Sequence, residues 1–502
     1  MSNALAREGV LQNARFAQAQ EAVKDKLFLG EFGRAIGLCA ELLEAAPESV
    51  DVWVLLGRAL IGAGEVSEAI GVLSKATALD DSSSLAWSYL GHAQRLAGQL
   101  QSASVSMSRA VSLAPSDPDV LTRHGLLQCF SADYAAAIET LNRVCQLAPD
   151  QAVALVNLGN ALRLAGDING AVSLYDRALS QSPDMAGVEW NRAMAIMLAG
   201  DFSAGFPALE GRHSKIGANP PQWISESWRG EKIDGTLLVE AEQGFGDLLQ
   251  FSRFFAAASQ RCDLLTVRCH PKMASIMTLV DGVSLVVSNM EEPPEHSARI
   301  QLFSLPSALG VVDPCQTLPP YIGWGLPAKE PWLPPRCQGE VRVGISWQGN
   351  PSYERDHLRS VAIQRLRSLF AIENVTFYSL QKYDGVEQLL SVEPSVRPID
   401  LGYRLDNSGA AFTETAQAMR ELDLVISTDT STVHLAGALG VECWVLLPFA
   451  PDWRWGLESE SSPWYPNMRL FRQESPKDWE CVVDRVKRAL RAFKVSTKGA
   501  LR

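Results

Sequence analysis

The chain has 502 residues, of which 47% are hydrophobic and 20% are charged, and its formal net charge at pH 7 is −12. This length exceeds what one hydrophobic core usually serves, about 250–300 residues, so we expect two or three domains. The acidic balance argues against a general nucleic-acid-binding protein and against a protein that binds anionic membranes, because both need a basic face.

The cysteines and histidines form no metal-binding or disulfide pattern. Nine cysteines are scattered without a C-x-x-C pair, and the seven histidines contain no H-x-x-x-H pair. This usage is typical of reduced thiols in a cytosolic protein. Residues 1–26 lack the apolar core of a signal peptide, and no later segment offers about 18 uninterrupted apolar residues. We therefore expect a cytoplasmic protein without a membrane span.

Positions 1–215 repeat with a period of about 34 residues. Trp53 and Trp87 are one period apart. The other positions in register are Gly57, Gly91, Gly125 and Gly159; Ala35, Ala69, Ala103, Ala137 and Ala171; and Pro47, Asp81, Pro115, Pro149 and Pro183. This pattern resembles the tetratricopeptide repeat (TPR) family, over about five repeats and a partial sixth at 187–212.

The TPR resemblance implies stacked helix pairs that form an α superhelix over residues 1–215, with an inner groove that holds a peptide or a partner protein. Glycine and alanine would lie where the two helices of a pair approach closely, and proline would end the second helix. Polar residues of the first helices that could line the groove are Arg58, Gln94, Arg95, Asn157, Asn160 and Arg163. Each of them could instead belong to a solvated helix face.

A segment rich in Gly, Pro, Trp and Ser, residues 216–232, predicts a linker. Beyond it, strands alternate with helices, which is typical of a parallel doubly wound sheet. The proline-rich segment 327–338 divides this region into a first lobe, 233–330, and a second lobe, 331–502. The predicted strands are 236–240, 264–269, 283–288 and 300–303 in the first lobe, and 341–347, 375–380, 396–400, 424–426 and 443–447 in the second. A further helix is predicted at 476–493.

The region 422–448 predicts a buried strand, a polar loop, a helix that ends at Gly440, and a second buried strand. The first free N–H groups of such a helix, with the positive end of its dipole, favour an anion such as a diphosphate. Residues 430–432 add three hydroxyl groups. No glycine-rich phosphate fingerprint is present, so neither a P-loop nor an NAD-type turn is expected. Alternatively, Asp429 or Thr430 simply caps a buried helix.

Five short motifs carry a more specific resemblance. They lie at 242–251, 344–351, 378–382, 427–437 and 447–455. These motifs resemble bacterial TPR-linked glycosyltransferases, whose catalytic half is similar to the heptosyltransferase family (glycosyltransferase family nine). The order of the two halves is similar to that of the O-linked N-acetylglucosamine transferases. The resemblance implies α/β architecture with two Rossmann-like lobes of the GT-B type, the first for the acceptor and the second for the nucleotide sugar, although the first lobe is small for this plan.

The resemblance implies that Asp247, on the turn after the first strand, is the general base for the acceptor hydroxyl. Gly244 and Gly246 would let the backbone bend so that this carboxylate faces the cleft. Asp247 could instead cap the following helix, as aspartate often does. Glu242 is the reserve candidate for the base.

Protein groups must also balance the charge of the departing diphosphate. The predicted diphosphate ligands are Thr430, Ser431, Thr432, Lys382 and Arg359, with Arg355 as an alternative to Arg359. The predicted ligands of the donor sugar and nucleotide are Asp429, His434, Trp347, Gln348 and Trp453. The two arginines could simply be solvated, His434 could be structural, and Trp453 with its neighbour Trp455 could pack in the core.

No Asp-x-Asp motif follows a predicted strand, and the resemblance implies a metal-independent, inverting reaction with a nucleotide sugar as donor and no further cofactor. We therefore predict a glycosyltransferase whose TPR half selects the acceptor, a protein or peptide bound in the groove, with no nucleic-acid partner. Two alternatives stay open. One is a TPR scaffold whose α/β half binds a nucleotide without catalysis. The other is a transferase that acts on an envelope polysaccharide or lipid-linked glycan.

Overall fold

The structure is a computed structural model that describes residues 2–214, 227–316, 319–323 and 330–493. It separates into two compact units, residues 1–182 and 183–502. The described residues do not include 216–226 of the predicted linker (216–232) or 327–329 of the proline-rich segment (327–338).

The described part of the first unit consists of ten α-helices. They are α1 (Ser2–Phe28), α2 (Phe32–Ala45), α3 (Val50–Ala63), α4 (Val66–Leu79), α5 (Ser84–Leu96), α6 (Leu100–Leu113), α7 (Pro118–Phe130), α8 (Tyr134–Leu147), α9 (Ala152–Ala165) and α10 (Ile168–Gln181). Each odd-numbered helix packs against the even-numbered helix that follows it. The chain is therefore folded here as a series of helix pairs, as the repeat period predicts.

A residue with left-handed backbone joins the two helices of each pair. Gly30, Gly64, Gly98 and Gly166 take this position with φ between 72° and 93°, where glycine has no Cβ to clash. Ala132 takes it in the fourth pair with φ 57°, at a cost of about 1–2 kcal/mol for a residue that carries a Cβ. These positions recur at the interval of the tryptophans and glycines, so the turn follows the same period as the helices.

Glycines inside the helices lie where the two helices of a pair approach closely. A Cβ on Gly57 would be 2.5 Å from Leu73 Cγ, and a Cβ on Gly125 would be 2.6 Å from Leu141 Cγ. Both distances are too short for a side chain, so glycine at these positions allows the helices to pack. The predicted TPR arrangement of helix pairs is confirmed.

The odd-numbered helices also pack against one another, α1 on α3, α3 on α5, α5 on α7 and α7 on α9. They form the inner layer of a solenoid, and the even-numbered helices cover them on the outside. The core of this unit is accordingly a series of small clusters between neighbouring pairs. Each pair is stabilised mainly by its neighbours.

The second unit begins with α11 (Val188–Leu198), α12 (Phe202–Ala208) and a 3-10 helix (Leu209–Ser214). These residues form the predicted partial sixth repeat. Phe202 and Phe206 pack edge-to-face on Trp464 of the second lobe, with ring centroids 5.5 and 6.2 Å apart. The division of the chain therefore falls between residues 182 and 183 rather than at 215, because the aromatic face of this helix pair packs on the α/β region.

Arg212 fixes the 3-10 helix to the α/β region, and its side chain is only 4% exposed. It donates to Glu242 Oε2 and Gln301 Oε1, both at 2.9 Å, and to Ser304 Oγ at 2.7 Å. Glu242 Oε1 accepts the backbone N–H of Phe303 at 2.9 Å. Both carboxylate oxygens of Glu242 are thus engaged in holding this junction, and its role as the reserve base stays a prediction.

A parallel sheet of four strands follows in the described part of the first lobe. The strands are β1 (Thr236–Glu240), β2 (Leu264–Cys269), β3 (Leu285–Ser288) and β4 (Ala298–Gln301), in the order β3-β2-β1-β4. The helices are α13 (Phe245–Phe251), α14 (Phe255–Ser259), α15 (Ala274–Met277) and α16 (Leu305–Leu309), with 3-10 helices at Ser252–Phe254, Pro271–Met273, Leu302–Ser304 and Pro314–Gln316. Leu237 of β1 pairs with Leu265 of β2 and with Ala298 of β4, so β1 is an inner strand.

The second lobe contains a second parallel sheet. Its described strands are β5 (Val341–Ser346), β6 (Val375–Ser379), β7 (Ile399–Asp400), β8 (Leu424–Thr428), β9 (Cys443–Leu447) and β10 (Met468–Arg472), in the order β10-β9-β8-β5-β6-β7. The helices are α17 (Asp356–Arg359), α18 (Ile363–Phe370), α19 (Thr413–Met419), α20 (Ser431–Ala438) and α21 (Trp479–Ala492), with 3-10 helices at Val386–Ser391 and Trp453–Trp455. The last helix, α21, packs against α18 and β10 of this same lobe.

The predicted strands agree with the structure best where the sequence is most apolar. β1, β2 and β9 have the predicted bounds. β7 is limited to Ile399–Asp400, and β10 was not predicted because its sequence, Met-Arg-Leu-Phe-Arg, includes two arginines. The prediction of an α/β region with parallel sheets is confirmed.

Arg253 links the two lobes from a fully buried position after α13. It donates to the carbonyl oxygen of Trp464 at 2.7 Å and to that of Pro314 at 3.2 Å. Its guanidinium carbon lies 4.6 Å from the ring centroid of Tyr465. The carbonyl oxygens and the aromatic ring together replace the water that this charge loses on burial.

Candidate functional site

The predicted site lies where the first turns of α13 and α20 meet. α13 follows β1 of the first lobe, and α20 follows β8 of the second lobe. A Cβ on Gly246 would be 3.0 Å from His434 Cδ2 and 3.5 Å from Ser431 Cα, so the two turns can touch because residue 246 is glycine. The carboxyl ends of two parallel sheets, each followed by a helix N-terminus, thus open onto one place.

The N-terminus of α20 receives no cap from its own loop. Thr430 occupies the N-cap position, but its side chain makes no capping hydrogen bond. Its hydroxyl group lies instead 3.3 Å from Ser427 Oγ. The first N–H groups of α20, together with the hydroxyl groups of Ser431 and Thr432, are suited to an anion.

Asp247 makes two contacts at once. Its Oδ2 accepts the backbone N–H of Gly244 at 2.7 Å, and its Oδ1 forms an ion pair with Arg454 Nη2. α13 begins at Phe245, so Asp247 lies within the first helical turn rather than on the turn before the helix. The carboxylate therefore both caps its helix and faces the second lobe. Burial raises the pKa of Asp247, against the positive charge of Arg454, which lowers it.

Arg454 joins the two lobes at this site and is 8% exposed. Besides its ion pair with Asp247, it donates to Asp452 Oδ1 at 2.7 Å and to Gln250 Oε1 at 2.5 Å. An arginine held by several acceptors is fixed in one orientation. Sequence reasoning did not include Arg454 among the ligands, although the run 452–455, in which it lies between two tryptophans, contained the signal.

Asp429 follows β8 and is 9% exposed. Burial and the negative charge of Asp452 raise its pKa to about 6, against the opposing positive charges of Arg359 and Arg454. A carboxyl group with this pKa titrates close to neutral pH. When protonated, it can donate a hydrogen bond to a phosphate or sugar oxygen.

Asp429→Asn is expected to stabilise the protein at neutral pH. The pKa of Asp429 is about 6 in the folded state and 3.8 as the reference value, so the native state binds the proton more tightly and the free energy of unfolding falls as pH rises between these values. Two pKa units correspond to about 3 kcal/mol. Urea denaturation should show the variant more stable by about 2–3 kcal/mol above pH 6 and equal to the wild type near pH 4. A difference that does not change with pH would contradict this account.

His434 is buried between the two turns, with 5% of the residue exposed. Its Nδ1 lies 3.1 Å from Tyr465 Oη, and its ring stacks on Trp455 with centroids 5.5 Å apart. Burial lowers its pKa well below the usual value, and the charges of nearby arginines lower it further. A neutral imidazole can bond to a sugar hydroxyl or a phosphate oxygen, but it adds no positive charge.

Arg359 is brought to the site by the segment between β5 and α18. Its Nε donates to Asp356 Oδ1 at 2.9 Å, and its guanidinium carbon lies 4.6 Å from the ring centroid of Tyr353. Its charge acts on both Asp429 and His434. Arg359 therefore adds positive charge to the surroundings of these two side chains.

Lys382 and Gln348 are occupied by other contacts within the second lobe. The ammonium group of Lys382 donates to the carbonyl oxygen of Leu405 and, at 2.9 Å, to Asn407 Oδ1. Gln348 Oε1 accepts a hydrogen bond from Gln388 Nε2 at 2.6 Å. Their proposed roles as ligands stay predictions, and each would require the side chain to leave these partners.

The two tryptophans predicted as ligands are buried in the hydrophobic core, and their roles as ligands stay predictions. Trp347 is fully buried in the hydrophobic core of the second lobe. Trp453 is 5% exposed and packs on Phe251 and Trp464, with centroid distances of 6.5 and 5.6 Å. Large aromatic rings stabilise the fold most when they are removed from water, and a strand-end position does not by itself turn them toward a cleft.

The described ranges contain no metal-binding cluster, no disulfide and no helix that could span a membrane. No group of three or more histidine, cysteine, aspartate or glutamate side chains there is arranged to hold a metal ion. All nine cysteines fall within these ranges, and no disulfide joins any two of them there. None of the helices found there has both the length and the apolar character of a membrane span.

The tetratricopeptide repeat family matches the chain twice, over residues 29–93 and over residues 123–186. The first unit is a TPR solenoid. Protein FlbA of Caulobacter vibrioides is 25% identical over 329 residues, which cover 58% of this chain and 53% of FlbA. The chain thus spans about half the length of this curated relative.

Solved structures similar to this TPR-containing chain cover at most 42% of it in the following three cases. TTC0263, a TPR protein of Thermus thermophilus, is 19% identical and covers 36% of this chain and 99% of its own, with a TM-score of 0.34. MamA is 27% identical and covers 32% and 94%, with a TM-score of 0.28. The APC/C hetero-tetramer Cut9–Hcn1 is 18% identical and covers 42% and 41%, with a TM-score of 0.37.

Proposed function

We propose that the second unit is a nucleotide-sugar-dependent glycosyltransferase of the GT-B type, and that the TPR solenoid binds its acceptor, a protein or peptide. The main support is the meeting of α13 and α20, one helix N-terminus from each lobe, beside Asp247, Arg454 and Asp429. Transfer between an acceptor on one lobe and a donor on the other needs such a junction, because the reacting atoms must come within about 3–3.5 Å.

The diphosphate of the donor would bind at the N-terminus of α20. The uncapped N–H groups, the helix dipole and the hydroxyl groups of Ser431 and Thr432 favour an anion there. Arg359 adds positive charge, and Asp429 would add a hydrogen-bond donor where it is protonated, below about pH 6. Together these groups would stabilise the negative charge that develops on the leaving diphosphate.

Asp247 is the proposed base. Its carboxylate would take the proton of the acceptor hydroxyl while the hydroxyl oxygen attacks the anomeric carbon on the face opposite the diphosphate. The bond from the anomeric carbon to the diphosphate oxygen then breaks, the diphosphate leaves with the electron pair, and the configuration inverts. Burial raises the pKa of Asp247 and so strengthens it as a base, while the ion pair with Arg454 fixes its orientation.

Thermal unfolding with nucleoside diphosphates tests the donor site. We expect one of UDP, GDP, ADP or dTDP to raise the melting temperature equally with and without EDTA. A ligand at about a hundred times its Kd stabilises the native state by about 2.7 kcal/mol, which raises the melting temperature of a unit of this size by about 2 °C or more. Arg359→Gln should lose this shift. The matched control is Arg365→Gln, a half-exposed arginine on α18, which should keep it.

Other results would favour the alternatives. If the folded protein shows no shift with any nucleotide, the second unit is not a transferase of this kind and the TPR scaffold becomes the better description. If a nucleotide sugar binds but no nucleoside diphosphate is released from it, the second unit would be a scaffold that binds the nucleotide without catalysis. Transfer to a purified polysaccharide or lipid-linked glycan, and not to protein, would keep the enzyme and overturn its proposed acceptor.

A further inference from the structure

The inner helices of the first unit carry more arginines than carboxylates. The arginines are Arg58 on α3, Arg95 on α5, Arg123 on α7 and Arg163 on α9. The carboxylates in these four helices are Asp51 and Asp119, and both lie in the first turn of their helix. The outer helices, in contrast, carry equal numbers of the two signs: the carboxylates are Glu41, Glu44, Glu68, Glu139 and Asp176, and the cations are Arg34, Lys75, Arg109, Arg143 and Arg177. The four inner helices from α3 to α9 thus carry a net positive charge, in a chain whose net charge is −12.

Two of these arginines share one aromatic ring. The guanidinium carbon of Arg58 lies 5.3 Å, and that of Arg123 lies 4.2 Å, from the ring centroid of Tyr89 on α5. Arg123 Nε also donates to Ser88 Oγ at 2.7 Å. These contacts hold two like charges close together across three neighbouring inner helices, and they fix both side chains in place.

No carboxylate balances this pair within the described part of the solenoid. The ion pairs found there include none of Arg58, Arg123 and Arg163. Arg123 Nη2 is buried and has no hydrogen-bond partner. Two cations on one ring repel each other, and a cation–π contact at an exposed site returns only about 0.5–1 kcal/mol. An anion bound between them would relieve the repulsion and satisfy the buried N–H group.

We propose that this face binds an acidic segment of a protein in an extended conformation. Packed helices lie about 8–10 Å apart, and a chain in the extended polyproline II conformation advances about 3.1 Å per residue with three residues per turn. A carboxylate at every third residue would therefore lie on one side of the segment and meet the arginines of successive helices. The arginines from α3 to α9 would accommodate a segment of about nine residues at this spacing. A long nucleic acid fits less well, because the net charge of −12 repels a polyanion beyond this face.

The binding involves the first unit alone. That the bound segment is also the sugar acceptor rests on the proposed function, whereas the binding itself does not. A protein that binds the acidic segment but shows no shift with any nucleoside diphosphate would keep this inference and remove the transferase.

Fluorescence anisotropy with the full chain, in the absence of nucleotide, tests the inference. The probe is a labelled peptide of about nine residues with glutamate at every third position and proline and threonine between, which keeps it extended. We expect binding that weakens with salt and falls by about tenfold or more in the double variant Arg58→Gln/Arg123→Gln. The matched control, Arg143→Gln on the outer helix α8, whose Nη2 lies 3.3 Å from Ser116 Oγ, should bind as the wild type does.

Thermal unfolding shows whether the double variant is folded. If its melting temperature falls, the charge-conserving variant Arg58→Lys/Arg123→Lys replaces it, and binding should then stay within about tenfold of the wild type because the charges remain. The inference is overturned if a peptide with glutamine at the same positions binds equally well. It is also overturned if Arg143→Gln weakens binding as much as the double variant, or if single-stranded RNA binds more tightly than the acidic peptide.

Discussion

Replacing Asp247 with asparagine should lower the rate of sugar transfer by about 10²–10⁴-fold, which is the usual contribution of a positioned general base. Asparagine has nearly the same shape, but its amide cannot take the proton of the acceptor hydroxyl. Its amide oxygen can still accept the N–H of Gly244, so α13 should keep its first turn. The rate is measured as release of nucleoside diphosphate from the donor whose nucleotide gives the thermal shift, and that shift itself should persist.

Asp452 provides the matched control for this variant, because it is the second carboxylate that pairs with Arg454, at 2.7 Å. Asp452→Asn removes a negative charge beside Arg454 and leaves the proposed base in place. We expect it to reduce the rate by less than about tenfold. If both variants lowered the rate equally, the loss would come from removing a negative charge beside Arg454 and not from removing a base. Full turnover in Asp247→Asn would remove Asp247 from the role of base.

Arg212→Ala should lower the free energy of unfolding of the second unit by about 3–5 kcal/mol, the usual cost of breaking a buried ion pair from one side. The substitution leaves the carboxylate of Glu242, whose side chain is 17% exposed, without its cationic partner. It also removes the donors to Gln301 and Ser304. Urea denaturation followed by tryptophan fluorescence measures this change, because eleven of the thirteen tryptophans lie in the second unit.

Glu210→Gln is the control for the surface part of this network. Glu210 also pairs with Arg212, at 3.1 Å, but its side chain is 47% exposed, so its loss should cost less than about 1 kcal/mol. Adding Glu242→Gln to Arg212→Ala should restore part of the stability, since a neutral amide is less costly to bury than an unpaired carboxylate. Equal losses from Glu210→Gln and Arg212→Ala would show that the buried pair with Glu242 is not what stabilises this junction.

The helices of the first unit could be predicted because their contacts are local in sequence. Gly57 packs on Leu73, and Gly125 packs on Leu141, each contact within one helix pair. The residues of one repeat period therefore make nearly all the contacts that determine how the two helices of a pair pack. The residue with left-handed backbone between the two helices of a pair recurs with the same period. The period identifies Ala132 as one of these residues, although alanine rarely adopts this conformation.

The site could be predicted only in part. The loop before α20 and the turn before α13 follow parallel strands, and ligands bind at the carboxyl ends of such strands, so the positions of Asp247 and Asp429 at this edge could be predicted from sequence. The pairing of Asp247 with Arg454 joins residues 207 positions apart, and no local pattern encodes it. The direction of the Trp347 ring depends in the same way on which side chains fill the core of the second lobe.

The aromatic contacts of α12 determine where the chain could be divided. A fragment that starts at residue 216 would lack Phe202 and Phe206, and it would expose the faces of Trp464 and Phe254 on which these rings pack. Exposed aromatic surface of this kind favours aggregation. A fragment that starts at residue 183 keeps this aromatic surface covered. The last helix pair of the repeat series is therefore a required part of the hydrophobic core of the second unit.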